Sequence, residues 1–213
     1  MRTTLAAVLA LAFFGVAACG GGGDQASSQQ SAQESGQQQG MAQQQGGQSG
    51  GESGGQQQAG ELTMPDWISV DEQNETVTID LVAGSNSSNN NWNYNGYHAG
   101  GNNARIVVPQ GYEVTINFEN QDDLSPHSVG IDAQVGDYPP TFQNVEPVFD
   151  GAVSSGATSM SDATQPGQSE SFSFTASEAG DYAMVCYLPG HATAGMWIHF
   201  TVSAEGEAGL REL

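Results

Sequence analysis

The sequence predicts an all-β fold over residues 61–213, a Greek-key β-sandwich of seven or eight strands. Three observations predict it. Apolar residues alternate with polar ones in several short runs, no window carries a sustained helical period, and turns rich in Gly, Pro, Asn and Asp separate the runs. With 37% hydrophobic residues in 213, the chain can fill one core once its N-terminal stretch is set aside.

Residues 1–18 read as an export signal of the lipoprotein type. Arg2 supplies the positive start, and Leu5 to Val16 form an apolar run too short to span a bilayer. The run ends in Val16-Ala17-Ala18-Cys19, which resembles a lipobox and implies lipidation at Cys19; the plainer alternative is a small-residue cleavage site with a cysteine nearby. Residues 19–60 are Gly, Gln, Ser and Ala with almost no large apolar side chains, the composition of a disordered tether. A tether of that kind has a reach of roughly 30–40 Å.

The strand candidates follow in order. Val77, Ile79 and Leu81 share one face; Val114, Ile116 and Phe118 do so after the Pro109-Gln110-Gly111 turn; Phe172 and Phe174 repeat the pattern, and Ile198, Phe200 and Val202 close it. These are expected to be half-buried antiparallel strands, with shorter ones at Trp92–Tyr97, Arg105–Val108, His127–Ile131 and Asp181–Cys186. Residues 133–167 break the series with four prolines and scattered aromatics. A loop of that length either covers a functional site or is a surface excursion packed by its own aromatics.

Charge narrows the partners. There are 24 Asp and Glu against three Arg and no Lys, for a formal charge of −21. Such a surface repels nucleic acid and anionic membrane. It suits either steering of a basic redox partner or solvation in concentrated salt, and the dispersal of the acids along the chain favours solvation.

Chemistry concentrates in Cys186-Tyr187-Leu188-Pro189-Gly190-His191-Ala192-Thr193-Ala194-Gly195-Met196, which sets a thiol, an imidazole and a thioether at intervals of five. With a further imidazole these are the donors of a mononuclear electron-transfer copper site, and His127 is the candidate. Cysteine usage agrees: if Cys19 carries lipid, Cys186 is a lone thiol in an exported chain, stable there when buried or bound to metal. Taken singly, the Cys and Met read as core and His191 as a loop residue; their joint spacing beside Pro189-Gly190 argues for copper. His98, in an Asn/Gly turn, and His199, opposite Ile198 and Phe200, are left out.

Together, Trp92-Asn93-Tyr94-Asn95-Gly96, Val108 to Val114, Pro126-His127-Ser128 and Cys186 to Trp197 resemble the cupredoxins, and among them the sulfocyanins. The resemblance implies a cupredoxin-like sandwich with one type 1 copper ion, His127, Cys186 and His191 as strong in-plane ligands, and Met196 as the weak axial one. It also implies an electron carrier rather than an enzyme, working with a cytochrome or a haem-copper terminal oxidase in a periplasmic or outer-face respiratory chain. The lipid anchor and Gln-rich tether depart from the membrane segment usual in sulfocyanins. Around the thiolate, Pro189 is expected to remove one backbone donor and the backbone of Ser128 to supply one; fewer donors to sulfur raise the potential. The alternative is an extracytoplasmic copper chaperone or store. A copper nitrite reductase needs three further histidines and a binuclear centre a second nearby cysteine, and the sequence has neither.

Overall fold

The computed structural model describes residues 60–213. The export segment, all but the last residue of the tether, and Cys19 lie outside them. Among the described residues, nine strands run in order: β1 (Ile68–Asp71), β2 (Thr76–Ala83), β3 (Ala104–Pro109), β4 (Glu113–Asn120), β5 (Gly130–Asp132), β6 (Ser169–Thr175), β7 (Gly180–Val185), β8 (Trp197–Ser203) and β9 (Gly209–Glu212). They form a four-stranded sheet, β1-β2-β4-β6, and a five-stranded sheet, β5-β7-β8-β3-β9. Among the described residues, no helix is long and apolar enough to cross a membrane.

The alternation places the core as expected. Val77, Ile79 and Leu81 of β2 and Val114, Ile116 and Phe118 of β4 are fully buried, and they share one cluster with Ile106, Met184, Ile198 and Phe200 of the other sheet. Strand β7 is buried on both faces. Its Ala183 and Val185 pack outward in a second cluster with Tyr138, Phe142, Val145 and Trp197, so the long segment after β5 covers that side of the sheet.

Several expectations need correcting. The sandwich has nine strands, because β1 and β9 are four-residue edge pieces too short to register as periodic runs. The sheets are mixed: β2 pairs with β4, and β3 with β8, in parallel register. The chain leaves β2, crosses to the other sheet as β3 and returns as β4 in the original direction, a pairing that alternation alone does not reveal. Trp92–Tyr97 is no strand but a turn closed by the Tyr94 to Tyr97 bridge. Of His127–Ile131, only the end belongs to a strand; His127 lies on the preceding loop, bridged to Thr164. Just before Trp92, Asn89, Asn90 and Asn91 all adopt left-handed φ of 49°, 55° and 67°, a conformation asparagine tolerates better than most residues.

Candidate metal centre

Strand β7 stops at Val185 and β8 starts at Trp197, so Cys186 to Met196 is the whole connection between two antiparallel neighbours. It is tied into a closed turn. The Cys186 N–H donates to the Met196 carbonyl (3.2 Å), the Met196 N–H to the His191 carbonyl (2.9 Å) and the His191 N–H to the Leu188 carbonyl (3.1 Å). Gly190 and Gly195 take φ of 83° and 97°, which favours glycine. A Cβ on Gly195 would also lie 3.1 Å from the Gly100 nitrogen, on the loop packed against it.

His127 arrives from the loop between β4 and β5. Ligand atoms of His127, Cys186 and His191 all lie within 4.8 Å of one another, and all three residues are buried. Cys186 Sγ is 3.4 Å from His191 Nδ1. Met196 is fully buried, in the same cluster as Cys186, and its backbone is bonded to Cys186 and His191. Tertiary structure therefore gathers four residues that the sequence separates by up to 69 positions. His98 and His199 stay apart: His98 closes a turn with Asn102, and half-buried His199 lies edge-on to Trp197.

Burial sets the electrostatics. It pushes the Cys186 thiol up, against the Ser128 and Leu188 N–H groups and the Ser128 hydroxyl, which favour the thiolate. The Ser128 N–H lies 3.5 Å and its hydroxyl 3.6 Å from Sγ; Pro189 is exposed. Burial holds His191 down at about 4, with nearby His127 adding to the effect. His127 is lowered by burial too, although Asp122 opposes this. Burial alone would raise Asp122, but hydrogen bonds from the Leu124 N–H, His127 and the Ser125 N–H outweigh it and hold the carboxyl below its ordinary range.

Two loops clamp the connection. On one side the Trp92 indole stacks on His191, Asn89 Nδ2 donates to the Ala194 carbonyl (3.1 Å) and the Ala99 N–H to the Gly195 carbonyl (2.9 Å). Opposite, the Gly190 N–H donates to the Pro140 carbonyl (2.8 Å) and the Thr193 hydroxyl to the Pro139 carbonyl (3.2 Å). The segment after β5 thus both covers the sheet with its own aromatics and grips the ligand loop. Beneath the site, the Tyr94 hydroxyl donates to the Ser128 carbonyl (2.6 Å). Sequence reasoning missed Asp122 and the contacts made by Trp92 and Asn89; only the Asn-rich run before Trp92 signalled an unusual turn there.

This pocket suits a copper ion. Its donors are nitrogen and sulfur, unlike the oxygen ligands that calcium and magnesium take, and Nδ1 of His127 is buried with no hydrogen-bond partner. A β-sandwich that brings two imidazoles, a thiol and a thioether together at one end defines a cupredoxin, the class that holds a single type 1 copper. Residues 65–208 match the sulfocyanin (SoxE) domain model, and the chain belongs to that family of blue copper electron-transfer proteins. It is similar to sulfocyanin of Sulfolobus acidocaldarius, 34% identical over 129 residues that cover 58% of this chain and 62% of that protein. The chain therefore spans less than two thirds of that relative's length. Among solved structures, it is similar to dithionite-reduced auracyanin of Roseiflexus castenholzii (TM-score 0.44, 23% identity, 59% of this chain and 96% of that one). It is also similar to rusticyanin of Thiobacillus ferrooxidans (TM-score 0.34, 21% identity, 65% of this chain and 87% of that one).

Proposed function

We propose that this protein carries single electrons through one type 1 copper ion that would be held by His127, Cys186 and His191, with the thioether of Met196 as a weaker donor. The observation that carries this reading is the buried triad of His127, Cys186 and His191, whose ligand atoms lie within 4.8 Å of one another, together with a His127 Nδ1 that is buried without a hydrogen-bond partner. Copper bound there supplies a one-electron Cu(II)/Cu(I) couple. The chain's part is to hold the donors still. Backbone hydrogen bonds close the ligand loop on itself, and backbone and side-chain hydrogen bonds tie it to both flanking loops, so a change of charge in the pocket is met by little movement.

Exchange is proposed to run through the His191 end of the molecule. Residues 85–103 and 186–196, which surround that imidazole, carry no Asp, Glu, Lys or Arg in a chain of charge −21. Exposed Pro189, Thr193 and Ala194 make this an uncharged contact surface on an acidic body. The partners proposed are a cytochrome or a haem-copper terminal oxidase on the extracytoplasmic side of the membrane, with the domain tethered through lipidated Cys19; the support for this placement is the export-like start and the Gly/Gln-rich linker.

A copper chaperone or store is the alternative, and it calls for ligands open to an exchanging partner. Here His127 and Cys186 are 0% exposed and His191 only 3%. The deciding experiment is copper loading followed by optical spectroscopy and voltammetry. An intense band toward the red end of the visible spectrum, lost in Cys186→Ser, and a reversible couple with copper retained are expected. A copper-loaded protein that stays colourless on oxidation overturns the reading.

A further inference from the structure

His127 is held from behind by a carboxylate. Asp122 is 3% exposed, and its Oδ2 lies 3.0 Å from His127 Nε2. The other carboxylate oxygen accepts the Leu124 N–H at 2.9 Å, and the Asp122 N–H donates to Asn120 Oδ1 at 2.9 Å. The backbone behind it leaves little room to shift: a Cβ on Gly84 would lie 2.8 Å from the Asp122 Cβ.

We propose that Asp122 is the positioning residue of the metal centre, fixing which His127 nitrogen carries the proton and so leaving Nδ1 as a bare donor. A neutral imidazole has one N–H, and an ionised carboxylate can only accept. The 3.0 Å contact therefore places the proton on Nε2. Nδ1 is then an acceptor, and it is the buried His127 atom without a partner. A buried lone pair left unsatisfied is costly, and a metal ion shared with Cys186 and His191, whose ligand atoms lie within 4.8 Å of a His127 ring nitrogen, would satisfy it. A carboxylate behind a ligating imidazole also raises the basicity of that imidazole. Its negative charge favours the oxidised ion and lowers the potential.

The electrochemical part of this inference rests on the copper reading; the proton position does not. Asp122→Asn separates the two. The two contacts use different carboxylate oxygens, and in asparagine an NH2 group replaces one of them, so it cannot accept from both the Leu124 N–H and the His127 Nε2–H in that arrangement. In metal-free protein, ¹⁵N spectra of the histidine ring are expected to show His127 as the Nε2–H form in the wild type and to gain the Nδ1–H form in D122N. Copper(II) affinity, measured by competition with a chelator, is expected to fall about 10- to 100-fold in D122N. A tenfold loss confined to the oxidised ion raises the potential by about 59 mV. D123N removes an equal charge at the exposed neighbouring position and is expected to change neither tautomer nor affinity. The proposal is overturned by an Nδ1–H tautomer in the wild type, by an unchanged tautomer and copper(II) affinity in D122N, or by equal effects of D122N and D123N. Copper uptake without a blue band would instead sink the type 1 reading, and the tautomer and affinity comparisons would still decide the role of Asp122.

Discussion

The Trp92 indole lies stacked on the His191 imidazole, with ring centroids 4.1 Å apart and planes 15° from parallel. His191 is a loop residue, yet this ring helps leave it only 3% exposed. Stacking fixes the orientation of the imidazole and keeps water from one face, which matters for a donor that must not swing when the charge in the pocket changes.

Trp92→Ala tests that relationship. Water admitted to His191 relieves the burial that depresses it, so its titration midpoint in metal-free protein is expected to rise from about 4 toward 6.5. Loss of the stacked pair is expected to cost about 1 kcal/mol of stability beyond the lost area. A histidine-resolved NMR titration and a urea melt measure both; an unmoved midpoint would mean that other groups shield His191.

Acid stability of the metal-free protein follows from the same burial. The folded-state value of His191 lies below its ordinary value, so the unfolded chain takes up the proton first as pH falls. Stability is therefore expected to be flat above about pH 6.5 and to decline between there and about pH 4, by roughly 3 kcal/mol for this group. His127, lowered in the same direction, adds to the decline. Urea midpoints across this range check the sign, and His191→Gln should shallow the slope.

Pro189→Ala returns a backbone N–H to the ligand loop two positions beyond Tyr187. An added donor near the thiolate stabilises its charge in the oxidised state, so the reduction potential is expected to fall. Voltammetry of the copper-loaded variant reads this directly, and no change in potential removes Pro189 from the tuning of the site.

Gly130→Ala probes the grip of the segment after β5. An added Cβ would lie 2.7 Å from the Tyr187 ring and 3.0 Å from the Ala152 carbonyl, between strand, aromatic and covering loop. Overpacking there is expected to destabilise the fold by about 1–3 kcal/mol. Wild-type stability in a denaturant melt would show that this seam is loosely packed.

Much of the molecule was legible in the sequence. Period-two runs such as Val77-Ile79-Leu81 and Val114-Ile116-Phe118 determined the β class and the inward faces, because side chains alternate strictly along a strand whatever it pairs with. The spacing of Cys186, His191 and Met196 determined the donor set, since a single turn between neighbouring strands brings all three residues to one place. Only the tertiary structure decided the pairing, with β2 beside β4 and β3 beside β8 in parallel register, because hydrogen-bond partners are chosen by chain path and not by side-chain period. It also decided how the pocket is finished. Asp122 reaches His127 through a loop without periodicity, Trp92 reaches His191 across 99 positions, and the two prolines Pro139 and Pro140 meet the ligand loop through their carbonyls. Such contacts depend on backbone direction and distance, which residue identity does not encode locally.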